Sequence, residues 1–93
     1  MQKYIRIFRK FYGIGDQDPP LICAVCPRQM NDIHHIHRRG LKGFEWKGKW
    51  YDINDILNLI PLCRDHHNGA HGGEFTKEYL LEINEIRILK WSS

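Results

Sequence analysis

Five of the six histidines fall in two short stretches, Asp32-Ile33-His34-His35-Ile36 and Cys63-Arg64-Asp65-His66-His67-Asn68-Gly69-Ala70-His71, with Asn58 between them. All three cysteines, Cys23, Cys26 and Cys63, lie upstream of the first stretch or inside the second. Histidine is the commonest side-chain metal ligand, and its ordinary pKa makes it a proton acceptor near neutral pH. A histidine pair followed by a second histidine cluster suggests a metal centre with a general base beside it. That is equipment for hydrolysing a phosphodiester.

The spacings divide these residues between two ions. Cys23-x2-Cys26 is one half of a tetrahedral zinc site, and Cys63-x2-His66 is a fitting second half. His66 and His67 are neighbours, so either could turn toward the cysteines. His67 and His71 stand four apart; on a helix they share one face and can chelate a single ion together. His66 is rotated from His67 by about 100° on that helix, so the two can serve different ions. On a strand, His34 and His35 point to opposite faces, so one can complete the ligand set while the other meets a substrate. His37 stands apart from this pattern and reads as a surface residue.

These side chains need elements to carry them. Lys3 to Tyr12 put Tyr4, Phe8, Phe11 and Tyr12 at helical spacing, although Tyr4 to Phe8 would also suit a strand. Gly13 to Pro20 is a breaker and loop. Cys23 to Pro27 makes a tight knuckle, and Asp32 to Ile36 a short strand ending at the histidines. Arg38 to Gly43 is a basic, glycine-punctuated loop. Phe44 to Tyr51 fits a hairpin about Lys47-Gly48. A helical turn within Asp52–Asn58 leads to an apolar strand, Leu59 to Leu62. Arg64 to His71 suits a helix stopped by Gly72-Gly73. Thr76 caps a final helix with Phe75 stapled onto Leu80; its last part, Ile86 to Trp91, could instead be a strand.

The ordered pattern Cys-x2-Cys, Ile-His-His-Ile, Asn-Leu-Ile-x-Leu-Cys-x2-His-His-x3-His resembles the HNH endonuclease family over residues 23–71, about half the chain. The resemblance implies an α+β fold: a small zinc-stapled ββα-metal domain, treble-clef-like, with flanking N- and C-terminal helices. It implies one nuclease domain over 1–93, with a motif core at 23–71, an N-terminal extension at 1–20 and a C-terminal helix at 76–91. By the same likeness His35 is the general base and Asn58 braces the loop that orients it, with Asn54 and Asn68 competing for that role. His34, His67 and His71 hold a catalytic divalent ion such as Mg²⁺ or Mn²⁺. Cys23, Cys26, Cys63 and His66 hold a structural Zn²⁺. The implied activity is metal-dependent hydrolysis of DNA, by nicking or double-strand cleavage, leaving 5′-phosphate and 3′-hydroxyl ends. The chain looks like a compact phage or bacterial nuclease. His66 departs from the cysteine usual at its position, and the stretch between Ile36 and Asn58 is long for the family.

Composition agrees with a nucleic-acid partner. Residues 1–50 carry ten Lys/Arg against four Asp/Glu, and residues 51–93 carry four against seven. A basic half suits a polyanion. Arg38, Arg39, Lys42, Lys47 and Lys49 follow the proposed base and interleave with Phe44, Trp46, Trp50 and Tyr51, so they are the expected DNA contacts. An odd cysteine count argues against a disulfide framework and for metal in a reducing cytoplasm; the family resemblance implies that this is a bacterial or phage-infected cell. No signal-peptide pattern or membrane-length apolar run is present, so no membrane partner is expected. Monomer and homodimer stay open. Two other readings also stay open: a noncatalytic zinc module that binds nucleic acid, and a protein-interaction adaptor working through its aromatic hairpin and tail helix.

Overall fold

Leu59–Leu62 is a strand whose four residues are all buried, and it organises the rest of the chain in this computed structural model. The structure describes residues 2–15, 18–19 and 21–92. Of the loop expected at 13–20, Asp16, Gln17 and Pro20 lie outside the described residues. The elements run in the order α1 (Lys3–Tyr12), β1 (Asp32–His35), β2 (Gly43–Trp46), β3 (Lys49–Asp52), a 3₁₀ turn (Ile56–Asn58), β4 (Leu59–Leu62), α2 (Arg64–His71) and α3 (Lys77–Ser92). Among the described residues the result is a small α+β arrangement of three helices and two antiparallel two-stranded sheets, β1–β4 and β2–β3. No described helix is long and apolar enough to cross a membrane.

The continuous apolar run of β4 follows from burial on both faces. Ile60 and Leu62 enter the larger core with Phe44, Leu57, Leu80 and Leu81, while Leu59 enters a smaller one with Phe8 and Tyr12 of α1. β1 pairs antiparallel with β4, His34 opposite Ile60 and His35 opposite Leu59. That register makes β1 a two-faced strand: its even and odd residues look toward different neighbours.

The local signals explain the boundaries. α1 is a helix because its aromatic stripe meets Leu59. It ends in a left-handed Gly13 (φ 67°), whose successor Ile14 donates to the Arg9 carbonyl at 2.9 Å. The β2–β3 hairpin turns on Lys47 (φ 50°) and Gly48 (φ 80°), the two left-handed positions that a tight two-residue hairpin requires. Thr76 Oγ1 accepts from the Tyr79 N–H at 3.0 Å and starts α3. α3 then runs unbroken to Ser92, so Ile86 to Trp91 is helix and not strand. Packing decides this: Arg87 reaches the Tyr12 hydroxyl at 3.2 Å, and the Trp91 ring stands edge-on to Tyr12 at 5.2 Å.

Two fully buried asparagines hold the segment before β4. The Asn84 amide nitrogen of α3 lies 2.8–3.2 Å from the carbonyls of Ile56, Leu57 and Leu59. The Asn58 side chain accepts from the His37 N–H at 2.7 Å and donates to the carbonyls of His37 (3.0 Å) and Ile53 (2.8 Å). Each satisfies backbone groups that the irregular turn leaves without ladder partners.

Candidate metal centres

The first cluster joins a knuckle to the start of α2. The knuckle is closed by Cys23 N–H to the Arg28 carbonyl (2.8 Å) and Met30 N–H to the Leu21 carbonyl (2.8 Å), and is pinned to β4 by Ala24 N–H to the Pro61 carbonyl (2.8 Å). Cys63 is the residue on which α2 begins, so His66 one turn on returns to its thiol. Cys26 Sγ lies 3.7 Å from Cys63 Sγ, Cys23 Sγ 3.8 Å from His66 Nδ1, and Cys63 Sγ 3.1 Å from the same nitrogen. Thiolates about 2.3 Å from a tetrahedral ion are about 3.8 Å apart, which the Cys26–Cys63 separation of 3.7 Å matches, while Cys63 and His66 stand closer. A disulfide would need about 2.05 Å, and the three cysteines are free. Burial pushes the Cys63 thiol up, but the His66 N–H and ring, together with the other two thiols, outweigh it and bring the pKa down to about 7. The four residues fit a metal ion such as zinc, and His66 supplies the fourth donor.

The second cluster takes the other neighbour. His67 and His71 lie one turn apart on α2 with their Nε2 atoms 3.0 Å from each other. His34 comes across from β1, its ring 5.1 Å from each of them between centroids. One nitrogen from each histidine falls within 4.8 Å of the others, close enough to meet at one ion. Burial, then the neighbouring His67, His71 and His35, lowers the His34 pKa to about 4. At neutral pH that ring is unprotonated and ready to donate a lone pair. The donor set is three imidazoles, and the same three residues line a cavity.

Sequence reasoning missed Asp32. Its Oδ2 lies 3.0 Å from His67 Nδ1 and 2.9 Å from Arg64 Nε, though neither N–H points well enough to make a full hydrogen bond. A carboxylate behind a ligating imidazole fixes the ring and raises its basicity. The signal was present: Asp32 stands two before His34, so both face α2 on the strand.

His35 faces the other way, toward α1. The Tyr4 ring packs edge-on against it at 4.7 Å, and the Arg39 guanidinium lies over Tyr4 at 4.8 Å. Its Nε2 sits 3.0 Å from Asn54 Oδ1. An amide oxygen only accepts, so Nε2 carries the hydrogen and Nδ1 remains the proton-accepting nitrogen. Burial lowers the His35 pKa, the Asn54 bond partly restores it, and Arg39 lowers it again. The ring itself is therefore held by Asn54, while Asn58 braces the backbone two residues further on. Asn68 is exposed on α2.

The basic residues separate. Arg38 and Arg39 line the cavity of about 1050 Å³ that opens over His34, His35, His67 and His71. Lys47 is committed elsewhere, its Nζ 2.7 Å from Glu85 and 3.3 Å from Glu82 on α3. Lys49 lies over the Tyr51 ring at 5.3 Å, and neither it nor Lys42 lines the cavity. Trp50 is exposed on the same hairpin.

No protein-family model matches this chain, and no curated protein or solved structure does.

Proposed function

We propose that the protein is a metal-dependent DNA endonuclease of the HNH type, with a ββα-metal core formed by β1, β4 and α2. The observation that carries this is the meeting of His34, His67 and His71 beside a neutral His35 in one arginine-lined cavity. His34, His67 and His71 would hold a divalent ion, Mg²⁺ or Mn²⁺, which when bound supplies charge stabilisation for the phosphate and the leaving 3′ oxygen. His35 Nδ1 takes the proton from the attacking water. Asn54 fixes the tautomer that makes this possible, and Asn58 holds the chain that follows. Arg38 and Arg39 bind phosphates of the strand. Cys23, Cys26, Cys63 and His66 keep α2 in place around a zinc ion.

The test is cleavage of supercoiled plasmid with Mg²⁺ or Mn²⁺ by the wild type and by His35→Ala. Metal-dependent cutting that the variant lacks supports the reading. Equal cutting by both, or none by either, removes it.

A further inference from the structure

The cavity is larger and more varied than a phosphate site requires. All six residues from Asn31 to Ile36 line it, together with residues of α1 on one side and α2 on the other. The inner edge of β1 is the one paired with β4. Asp32 and His34 give the strand one face, turned to α2. Ile33 and His35 give it the other, turned to α1, where Ile33 packs against the cluster of Phe8, Tyr12 and Leu59. A ligand crossing β1 from the histidine triad passes His35 and arrives at a wall made by Ile5, Phe8, Ile14 and Met30.

That wall is apolar, yet the same cavity is lined by Arg38, Arg39 and Lys77. Of the two carboxylates among its described lining residues, Asp32 is engaged with His67 and Arg64, and Asp18 accepts from the Gly15 N–H at 2.7 Å. An occupant that is anionic along part of its length and apolar along another suits this lining. A phosphate cannot use the wall. A nucleobase can, because its faces are apolar and leave water against the half-buried Ile5, Ile14 and Met30, behind which Phe8 is buried. In an intact duplex both faces of each base are already covered by its neighbours.

Resting on the phosphodiesterase reading above, we propose that the Ile5–Phe8–Ile14–Met30 wall is a nucleobase subsite, and that the preferred substrate is single-stranded DNA laid along the free edge of β1. The phosphate lies over the three histidines, and the unstacked base beside it turns onto α1. α1 is then a substrate-binding element, not only a cover for Leu59.

The experiment compares a single-stranded oligonucleotide carrying one 2-aminopurine with the same strand annealed to its complement. Metal-loaded protein is titrated with each, and anisotropy and base fluorescence are followed before any cleavage. The single strand should bind at least tenfold tighter, with a change in base fluorescence that the duplex lacks. Ile14→Asn, which makes the wall polar, should reduce the preference to under twofold; should that variant fail to fold, Met30→Ala should weaken single-strand binding several-fold while duplex binding stays constant. Equal affinity for both forms overturns the proposal. So does displacement of the strand by a neutral extended peptide, which would make the β1 edge a site for strand addition by protein. Cleavage that is equal on both substrates defeats the subsite and spares the nuclease. A single-strand preference without cleavage of any substrate does the reverse.

Discussion

The two clusters share a helix and differ in almost everything else. The thiol cluster has four donors, two of them buried. The imidazole cluster has three donors, one of them exposed, and opens on the cavity. α2 stands between them and buries none of its eight residues. Apolar packing therefore does little to place it. It is tied down by the exposed ion pair Arg28–Asp65, by the part-exposed pair Arg64–Asp32, neither of which water leaves strong, and by an Arg64 N–H to Asn31 Oδ1 bond of 2.9 Å. A metal ion on the thiols would supply what burial does not. One cluster would then hold the helix while the other presents His67 and His71 to His34.

This asymmetry predicts unequal losses. Cys63→Ala should remove an interaction on the order of 10–16 kcal/mol of apparent binding energy, more than a domain of this size can spare, and the chain should unfold with loss of zinc. His67→Ala should keep its zinc and its cooperative melt, losing only the second ion. Circular dichroism with metal analysis on both variants checks the contrast. Matching stability in the two would mean that the clusters are equivalent.

Within the open cluster, ligand and base should separate. His34→Ala is expected to lose the second ion. His35→Ala is expected to retain both ions and to lose roughly 10²–10⁴-fold in cleavage rate. Metal titration beside the rate decides it, and loss of the ion from His35→Ala would exchange the two roles.

Acid should expose the same cluster without metal. His34 has a pKa near 4 in the fold against 6.5 for the free side chain, so the unfolded chain binds the extra proton first. Stability of the metal-free second site is then full above about pH 6.5 and falls as the pH drops toward 4, by on the order of 3 kcal/mol in all. Urea midpoints of zinc-loaded protein without the second ion should fall across that window, and His34→Gln should flatten the fall. The zinc must stay bound down to the lowest pH used, which metal analysis at each point verifies.

Much of this architecture was legible in the chain, and the illegible parts share a cause. β1, the hairpin, β4 and α2 follow from alternation, Lys47-Gly48, a continuous apolar run and Gly72-Gly73. The split of His66 from His67 follows from helical rotation, although only the fold shows which one turns to sulfur. The partner of His35 could not be read off: Asn54 and Asn58 both precede β4, and the choice rests on a three-dimensional turn. Lys47 read as a DNA contact because Glu82 and Glu85, which hold it, lie some forty residues away in sequence. α3 was ambiguous at its end because Arg87 and Trp91 are fixed by Tyr12, at the far end of the chain.

Asp32 gives the finest comparison, since it stands beside His67 and Arg64 of α2 at once. Its Oδ2 lies 3.0 Å from His67 Nδ1, and its two oxygens lie 3.3 and 2.9 Å from the Arg64 guanidinium. If its role is to orient the ligand, Asp32→Asn should weaken the second ion by roughly 10–100-fold, as loss of an outer carboxylate does elsewhere. If its role is only to pin α2, then Arg64→Ala should do the same damage, because it breaks the same ion pair and leaves the carboxylate beside His67. The geometry favours the first outcome: Arg64 is well exposed, whereas the Asp32–His67 contact is mostly shielded from water. Arg64→Ala should therefore change metal affinity by less than about threefold and stability by about 1 kcal/mol or less. Equal weakening in the two variants would assign Asp32 to the helix and leave His67 to be oriented by α2 alone.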